Sequence, residues 1–335
     1  MKPVIFGCSG ESLTDNERDF FRDCDPAGYI VFARNIADRA QLRALTDEMR
    51  EISGRENLPI LIDQEGGRVV RMKPPVWPEF PAGQAFDKLY DKAPISALEA
   101  ARVNARALAL TLIECGITVN CAPLLDVRQP DTVEAIGDRA LGGDPMRVAA
   151  LGRAMLDGME ESGVRGIVKH MPGHGRARVD SHKDLPRVTA SAQELEVDIA
   201  PFRKLADAGM GMTAHIVFDA WDADHAATLS PKVIDEIIRG AIGFDGLLYS
   251  DDLDMQALTG DRAQLAADVV AAGCDIALNC WARMDEMVKT AELLPDIAEK
   301  SRERLDRAME GVTVDAQPSA LESLIAKRDK LLSYA

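Results

Sequence analysis

Eight short, largely apolar runs punctuate this chain, at residues 3–8, 28–33, 59–63, 117–122, 164–169, 210–215, 246–250 and 274–279. Runs of that length and character read as buried strands. Between them lie helical patterns at 38–52, 96–115, 146–162, 192–208, 231–241 and 263–272, the alternation of repeated βα units. The simplest closure of eight such units is an α/β fold of the (β/α)8 TIM-barrel type. A Pro-rich excursion at 66–94, with Pro74, Pro75, Pro78 and Pro81, follows the third strand; a long loop of this kind often covers a site. No composition break marks a second domain, so residues 1–335 are expected to form one catalytic barrel, with charged terminal helices from Leu294 onward.

Charge and cysteine usage narrow the partners. A formal net charge of −16 argues against nucleic acid or an anionic membrane surface, both of which need a positive face. The six cysteines show no C-x-x-C spacing, and several lie in strand-like runs, which reads as reduced and structural. The first eight residues are too short an apolar stretch for a signal-peptide core, and no later segment has the span of a membrane helix. The expectation is a soluble cytoplasmic protein, a monomer or weak homo-oligomer, without a cofactor.

A barrel carries function at the C-terminal ends of its strands. The polar residues there are Asp63, followed by Gln64, Glu65, Arg68 and Arg71; then Asp126, Lys169, His170, His215, Asp251, Asp252 and Asn279. Three of the five histidines, His170, His174 and His182, fall within residues 169–182, where an apolar run gives way to a Pro-Gly loop. In Asp180-Ser181-His182, two residues of separation let the carboxylate contact the imidazole and stabilise its protonated form, an acid/base dyad. Gly246 to Ser250 leads into Asp251, Asp252 and Asp254; Asp254 suits a helix cap, leaving Asp251 as a nucleophile candidate for glycosidic cleavage with retention. Two other readings stand beside this one. His170, His174, Asp180 and His182 are all suitable ligands for zinc or another divalent ion, although Pro172 and Gly173 interrupt the helix that usually underlies His-x3-His spacing. A noncatalytic sugar-binding protein would bind without turnover.

Taken together, Ile62-Asp63-Gln64-Glu65-Gly66-Gly67-Arg68-Val69-Val70-Arg71, Lys169-His170-Met171-Pro172-Gly173-His174-Gly175, Asp180-Ser181-His182 and Tyr249-Ser250-Asp251-Asp252-Leu253 resemble, in order, the signature segments of the family 3 glycoside hydrolases, in particular the short bacterial β-N-acetylglucosaminidases of cell-wall recycling. The resemblance spans most of the chain. It implies that Asp251 attacks the anomeric carbon, that His182 protonates the leaving oxygen and later activates water, and that Asp180 orients the His182 ring. It further implies that Asp63, Arg71, Arg139, Lys169 and His170 hold the sugar hydroxyls, and that the substrates are N-acetylglucosaminyl-anhydromuramyl peptides. Larger family members draw a carboxylic acid catalyst from an added domain, for which this chain has no room, so the acid/base must come from a barrel loop. Met171 stands where many relatives carry Phe, and Arg176-Ala177-Arg178 adds unusual positive charge to the loop; both bear on the group accepted beyond the cleaved bond. A histidine in place of a carboxylate also lowers repulsion toward an anionic acceptor, which leaves phosphorolysis open beside hydrolysis.

Overall fold

A computed structural model describes residues 1–181, 184–312, 314 and 320–335. Its strands, in chain order, are β1 (Lys2–Gly7), β2 (Pro26–Val31), β3 (Ile60–Ile62), β4 (Val119–Asn120), β5 (Arg165–Gly166), β6 (Val168–Met171), β7 (Arg187–Val188), β8 (Met210–Thr213), β9 (Val217–Phe218), β10 (Asp222–Ala226), β11 (Leu247–Asp252) and β12 (Ile276–Asn279). Nine of them pair in parallel in the order β5-β4-β3-β2-β1-β12-β11-β8-β6. The two ends of that series, β5 and β6, are consecutive pieces of one chain segment separated only by Ile167, and a parallel bridge from Leu124 to Lys169 ties the segment after β4 to β6. The sheet therefore curls into an eight-position barrel.

Each predicted apolar run coincides with a barrel strand, displaced by at most a few residues. The reason is burial on both faces. In β11, Leu247 and Tyr249 join the cluster inside the barrel while Leu248 packs outward against the helices; in β12, Ile276 and Leu278 face in and Ala277 faces out. The bottom of the barrel is plugged by Leu305, Ala308 and Met309 from the end of helix Glu299–Ala308 and the turn after it.

The outer helices follow local signals. Helix Arg39–Ser53 starts where the Asp38 side chain accepts from the Gln41 N–H and ends at Gly54 with φ of +66°. Ser191 and Glu194 form a reciprocal capping box at the start of Ala192–Lys204. The Pro-rich excursion is not all loop: its second half is helix Gly83–Lys92, buried through Phe86 and Leu89. Residues 231–241, read as helix, carry wider helical turns over Val233–Ala241. A small second sheet, β10-β9-β7, leaves little pattern in the sequence, because β7 and β9 are two residues long and β10 is mostly polar. Among the described residues no helix is long and apolar enough to cross a membrane.

Candidate active site

Strand alternation decides which side chains enter the barrel mouth. Asp251 keeps the inward parity of Leu247 and Tyr249, Asp63 that of Leu61, and Lys169 that of Ile167. All three line a cavity of about 360 Å³, within the usual range for small-molecule sites. Arg71, Arg139, His170, His174 and Asp180 line it as well, together with Glu65, Arg68, Ser181, Asp252, Phe32 and Cys280. Four strand positions separate β3 from β11 in either direction around the barrel. Asp63 and Asp251 thus stand on opposite walls.

The β3 wall is a compact ionic network. Lys169 Nζ lies 2.8 Å from Glu65 Oε1 and 3.1 Å from Asp63 Oδ1. Arg139 grips Glu65 with two hydrogen bonds of 2.8 Å and donates its third nitrogen to the Ala135 carbonyl. Arg71 reaches Asp63 Oδ2 at 3.1 Å. Burial alone would raise the Glu65 carboxyl, but Arg139 and Lys169 hold it well below the usual range. Conversely, burial would lower Lys169, and Glu65 and Asp63 outweigh it, keeping the ammonium charged. Gly66 makes the turn possible: its φ is +109°, and a Cβ there would sit 2.2 Å from the Pro81 carbonyl oxygen. Glu65, named in the sequence only as a neighbour of Asp63, is the hub of this network.

Asp126, fully buried after β4, organises the histidine loop. Its Oδ2 lies 2.8 Å from His170 Nδ1, and its Oδ1 accepts from the backbone N–H groups of His170 at 3.2 Å and His174 at 2.7 Å. Burial would raise the Asp126 carboxyl; the facing His170 and these donors lower it instead. His170 Nε2 makes no bond to a described residue, and the ring faces the cavity. His174 is different. Burial, reinforced by the neighbouring His170, lowers its pKa to about 4, and its Nε2 sits 3.3 Å from Ser181 Oγ, so the ring is neutral near pH 7. Gly175 lets the loop pass this closely, since a Cβ would overlap the Val127 carbonyl.

On the far wall Asp251 Oδ1 accepts from the Asp252 N–H at 2.8 Å. Burial opposes ionisation of Asp251, but His170, His215, that N–H and Lys169 together hold its carboxyl below the ordinary range. Asp252 goes the other way: burial, with Asp254 and Asp251 adding repulsion, raises it to about 7. His215 is fully buried, with Nδ1 2.8 Å from Thr228 Oγ1 and Nε2 3.0 Å from the Asp252 carbonyl oxygen.

Of the predicted acid/base dyad, Asp180 lines the cavity, whereas His182 lies outside the described residues. The loop before it is anchored: Arg176 Nε binds the buried Asp198 at 2.6 Å and Nη2 the Glu194 carbonyl. Arg176 is therefore committed to helix Ala192–Lys204, and Arg178 pairs with Asp131 at 3.2 Å. Among the described residues no group of three His, Cys, Asp or Glu side chains is placed to hold a metal ion; the ligand set that includes His182 falls partly outside them. All six cysteines are buried free thiols, and Cys121 and Cys280 contribute to the cavity wall.

Asp251 stands at this mouth across from a network of carboxylates and cations, a pairing of a candidate nucleophile with hydroxyl-binding groups that suits glycosidic cleavage. The chain belongs to glycoside hydrolase family 3: residues 10–314 match the Glycosyl hydrolase family 3 N terminal domain. The β-hexosaminidase of Aromatoleum aromaticum is 36% identical over 329 residues, covering 96% of this chain and 90% of that protein. That of Alkalilimnicola ehrlichii is 38% identical over 286 residues, covering 83% and 80%. Among solved structures, NagZ from Neisseria gonorrhoeae in complex with N-trifluoroacetyl-D-glucosamine matches with a TM-score of 0.87 at 32% identity, over 100% of this chain and 98% of that one. The same protein in complex with zinc ion matches with a TM-score of 0.88 at 30% identity and the same coverage.

Proposed function

We propose that this chain is a retaining exo-β-N-acetylglucosaminidase, acting in the cytoplasm on N-acetylglucosaminyl-anhydromuramyl peptides derived from peptidoglycan, with the whole of residues 1–335 serving one catalytic domain. The observation that carries the reading is the placement of Asp251: inward-facing at the end of β11, kept ionised by its surroundings, and opposite the Asp63, Arg71 and Lys169 cluster. The names of the β-hexosaminidase relatives and the N-acylated glucosamine bound by gonococcal NagZ support the choice of sugar. Buried free cysteines suit a reducing compartment.

In the first step an Asp251 carboxylate oxygen forms an ester bond to the anomeric carbon. The bond to the leaving oxygen breaks, and that oxygen takes a proton from His182 as imidazolium, which Asp180 orients. In the second step neutral His182 removes a proton from water, the oxygen attacks the anomeric carbon, and the ester bond breaks to restore the Asp251 carboxylate. Asp63, Arg71, Lys169 and His170 hold the sugar hydroxyls, His170 through Nε2 because Asp126 occupies Nδ1. Arg139 serves chiefly through Glu65, since three of its nitrogens already donate within the protein. Neutral His174 adds no charge near the nucleophile.

The test is release of p-nitrophenol from the β-N-acetylglucosaminide and the β-glucoside by chelator-treated protein. Chelator-resistant turnover that prefers the N-acetyl sugar supports the proposal. Activity lost to chelator and restored by a divalent ion would replace it with a metal-dependent mechanism, and turnover of neither substrate would replace it with sugar binding alone.

A further inference from the structure

We propose that Thr228 and His215 are positioning residues for the reaction: they fix the backbone of Asp252, whose N–H holds the Asp251 carboxylate in place for attack. This role presupposes the glycosidase reading above and lies one layer behind its nucleophile. Regular strand pairing breaks just where that nucleophile stands. Tyr249 is in register with Ile276 and Asp252 with Leu278, so β11 carries one residue more than β12 between these pairs, a bulge. A bulge re-aims the side chains beside it, and here the adjacent Asp251 and Asp252 both reach the cavity. With the ladder interrupted, other contacts have to set the direction of the Asp251 carboxylate.

Those contacts come from His215, just past the end of β8, which neighbours β11 in the sheet. Its Nε2 lies 3.0 Å from the Asp252 carbonyl oxygen, which also accepts from the Met255 N–H at 3.2 Å. The N–H of Asp252 donates to Asp251 Oδ1 at 2.8 Å. A carbonyl only accepts, so Nε2 carries a proton. Nδ1 lies 2.8 Å from Thr228 Oγ1, which is 2.7 Å from Thr213 Oγ1 and 3.0 Å from the Ala214 carbonyl oxygen. A neutral ring accepts the Thr228 proton at Nδ1, with the Thr213 hydroxyl donating to Thr228 in turn. A protonated ring donates from Nδ1, and Thr228 then donates to the Ala214 carbonyl. In both states the Thr228 hydroxyl fixes the ring. Thr213, His215 and Thr228 are wholly buried and stand behind the cavity wall rather than in it. Burying such a polar chain costs desolvation that apolar side chains would avoid, and this one leads to the residue next to the nucleophile. Thr228 arrives from the turn Ala227–Leu229 after β10, so the small second sheet takes part in building the site.

The experiment measures, on the full chain, kcat/KM for the p-nitrophenyl β-N-acetylglucosaminide and the inhibition constant of N-acetylglucosamine. Thr228→Val keeps the shape and removes the hydroxyl. It should lower kcat/KM about tenfold, the size of one buried hydrogen bond, and leave the inhibition constant within about twofold, because the groups that hold the sugar are untouched. Thr228→Ser should recover most of the loss. His215→Gln, whose amide can still donate to the Asp252 carbonyl, should retain at least about fivefold more kcat/KM than His215→Leu. A Thr228→Val enzyme with wild-type kcat/KM, or a loss that Thr228→Ser does not share in recovering, overturns the role. So does an inhibition constant that worsens in step with kcat/KM, the mark of a pocket that has lost its shape. If Thr228→Val does not fold, the two His215 variants decide, and equal activities overturn the role while leaving the glycosidase intact. Absence of p-nitrophenol release by the wild-type protein overturns the glycosidase reading, and this role with it.

Discussion

Lys169 Nζ lies 2.8 Å from Glu65 Oε1, with both side chains almost wholly removed from solvent. The contact joins β6 to the turn after β3 across 104 residues of sequence, and Arg139 closes it from a third segment. Removing one member of such a group leaves like charges buried together.

Glu65→Gln should therefore lower stability by about 3–5 kcal/mol while nearly preserving shape, since it takes from Arg139 its carboxylate partner and leaves Lys169 with Asp63 alone. Urea unfolding of wild type and variant measures this. A loss below about 1 kcal/mol would mean that the network is open to water.

Asp251→Ala should reduce turnover of the aryl N-acetylglucosaminide by at least about ten-thousandfold, with an unchanged circular dichroism spectrum. In the wild-type protein a slowly released fluorinated N-acetylglucosaminide should leave its sugar on the peptide containing Asp251, read by mass spectrometry. Labelling of a different carboxylate would reassign the nucleophile.

His182→Ala should discriminate between leaving groups. A general acid contributes roughly 10²–10⁴-fold where the departing oxygen is basic and little where it is not, so the disaccharide should lose far more than the p-nitrophenyl glycoside. Equal losses in kcat/KM would remove the acid role.

Asp252 and His174 should give opposite pH signatures. Burial raises Asp252 to about 7, so between about pH 4 and 7 the folded state holds a proton that the unfolded chain has released, and this residue's contribution to stability falls as pH rises. Burial lowers His174 to about 4, so between about pH 4 and 6.5 the unfolded chain holds the extra proton, and this contribution rises with pH and is lost as pH falls. Relative to wild type, Asp252→Asn should gain stability on going from pH 5 to pH 8, and His174→Gln should lose it. Thermal unfolding midpoints at several pH values would show the two differences; the same sign in both variants would contradict the assigned environments.

The barrel was legible because a parallel strand buried on both faces leaves an unbroken apolar run, and β1, β3, β11 and β12 carry such runs. The helix Gly83–Lys92 was not, because the prolines before it mark a loop and its burial through Phe86 depends on elements elsewhere in the chain. The short strands β7, β9 and β10 hold together by pairing across a loop, which leaves almost no local pattern.

By itself the sequence determined where the barrel strands run and which polar residues stand at their ends, Asp63, Lys169 and Asp251 among them. Only the tertiary structure decided what those residues are chemically. Whether Glu65 becomes the partner of Lys169 and Arg139, whether Asp126 takes Nδ1 of His170, and whether two adjacent aspartates ionise alike or apart, with Asp251 held low and Asp252 raised to about 7, depends on water removed and charges approached. Periodicity is written along the chain; desolvation and Coulomb interactions act through space, between groups that sequence separates.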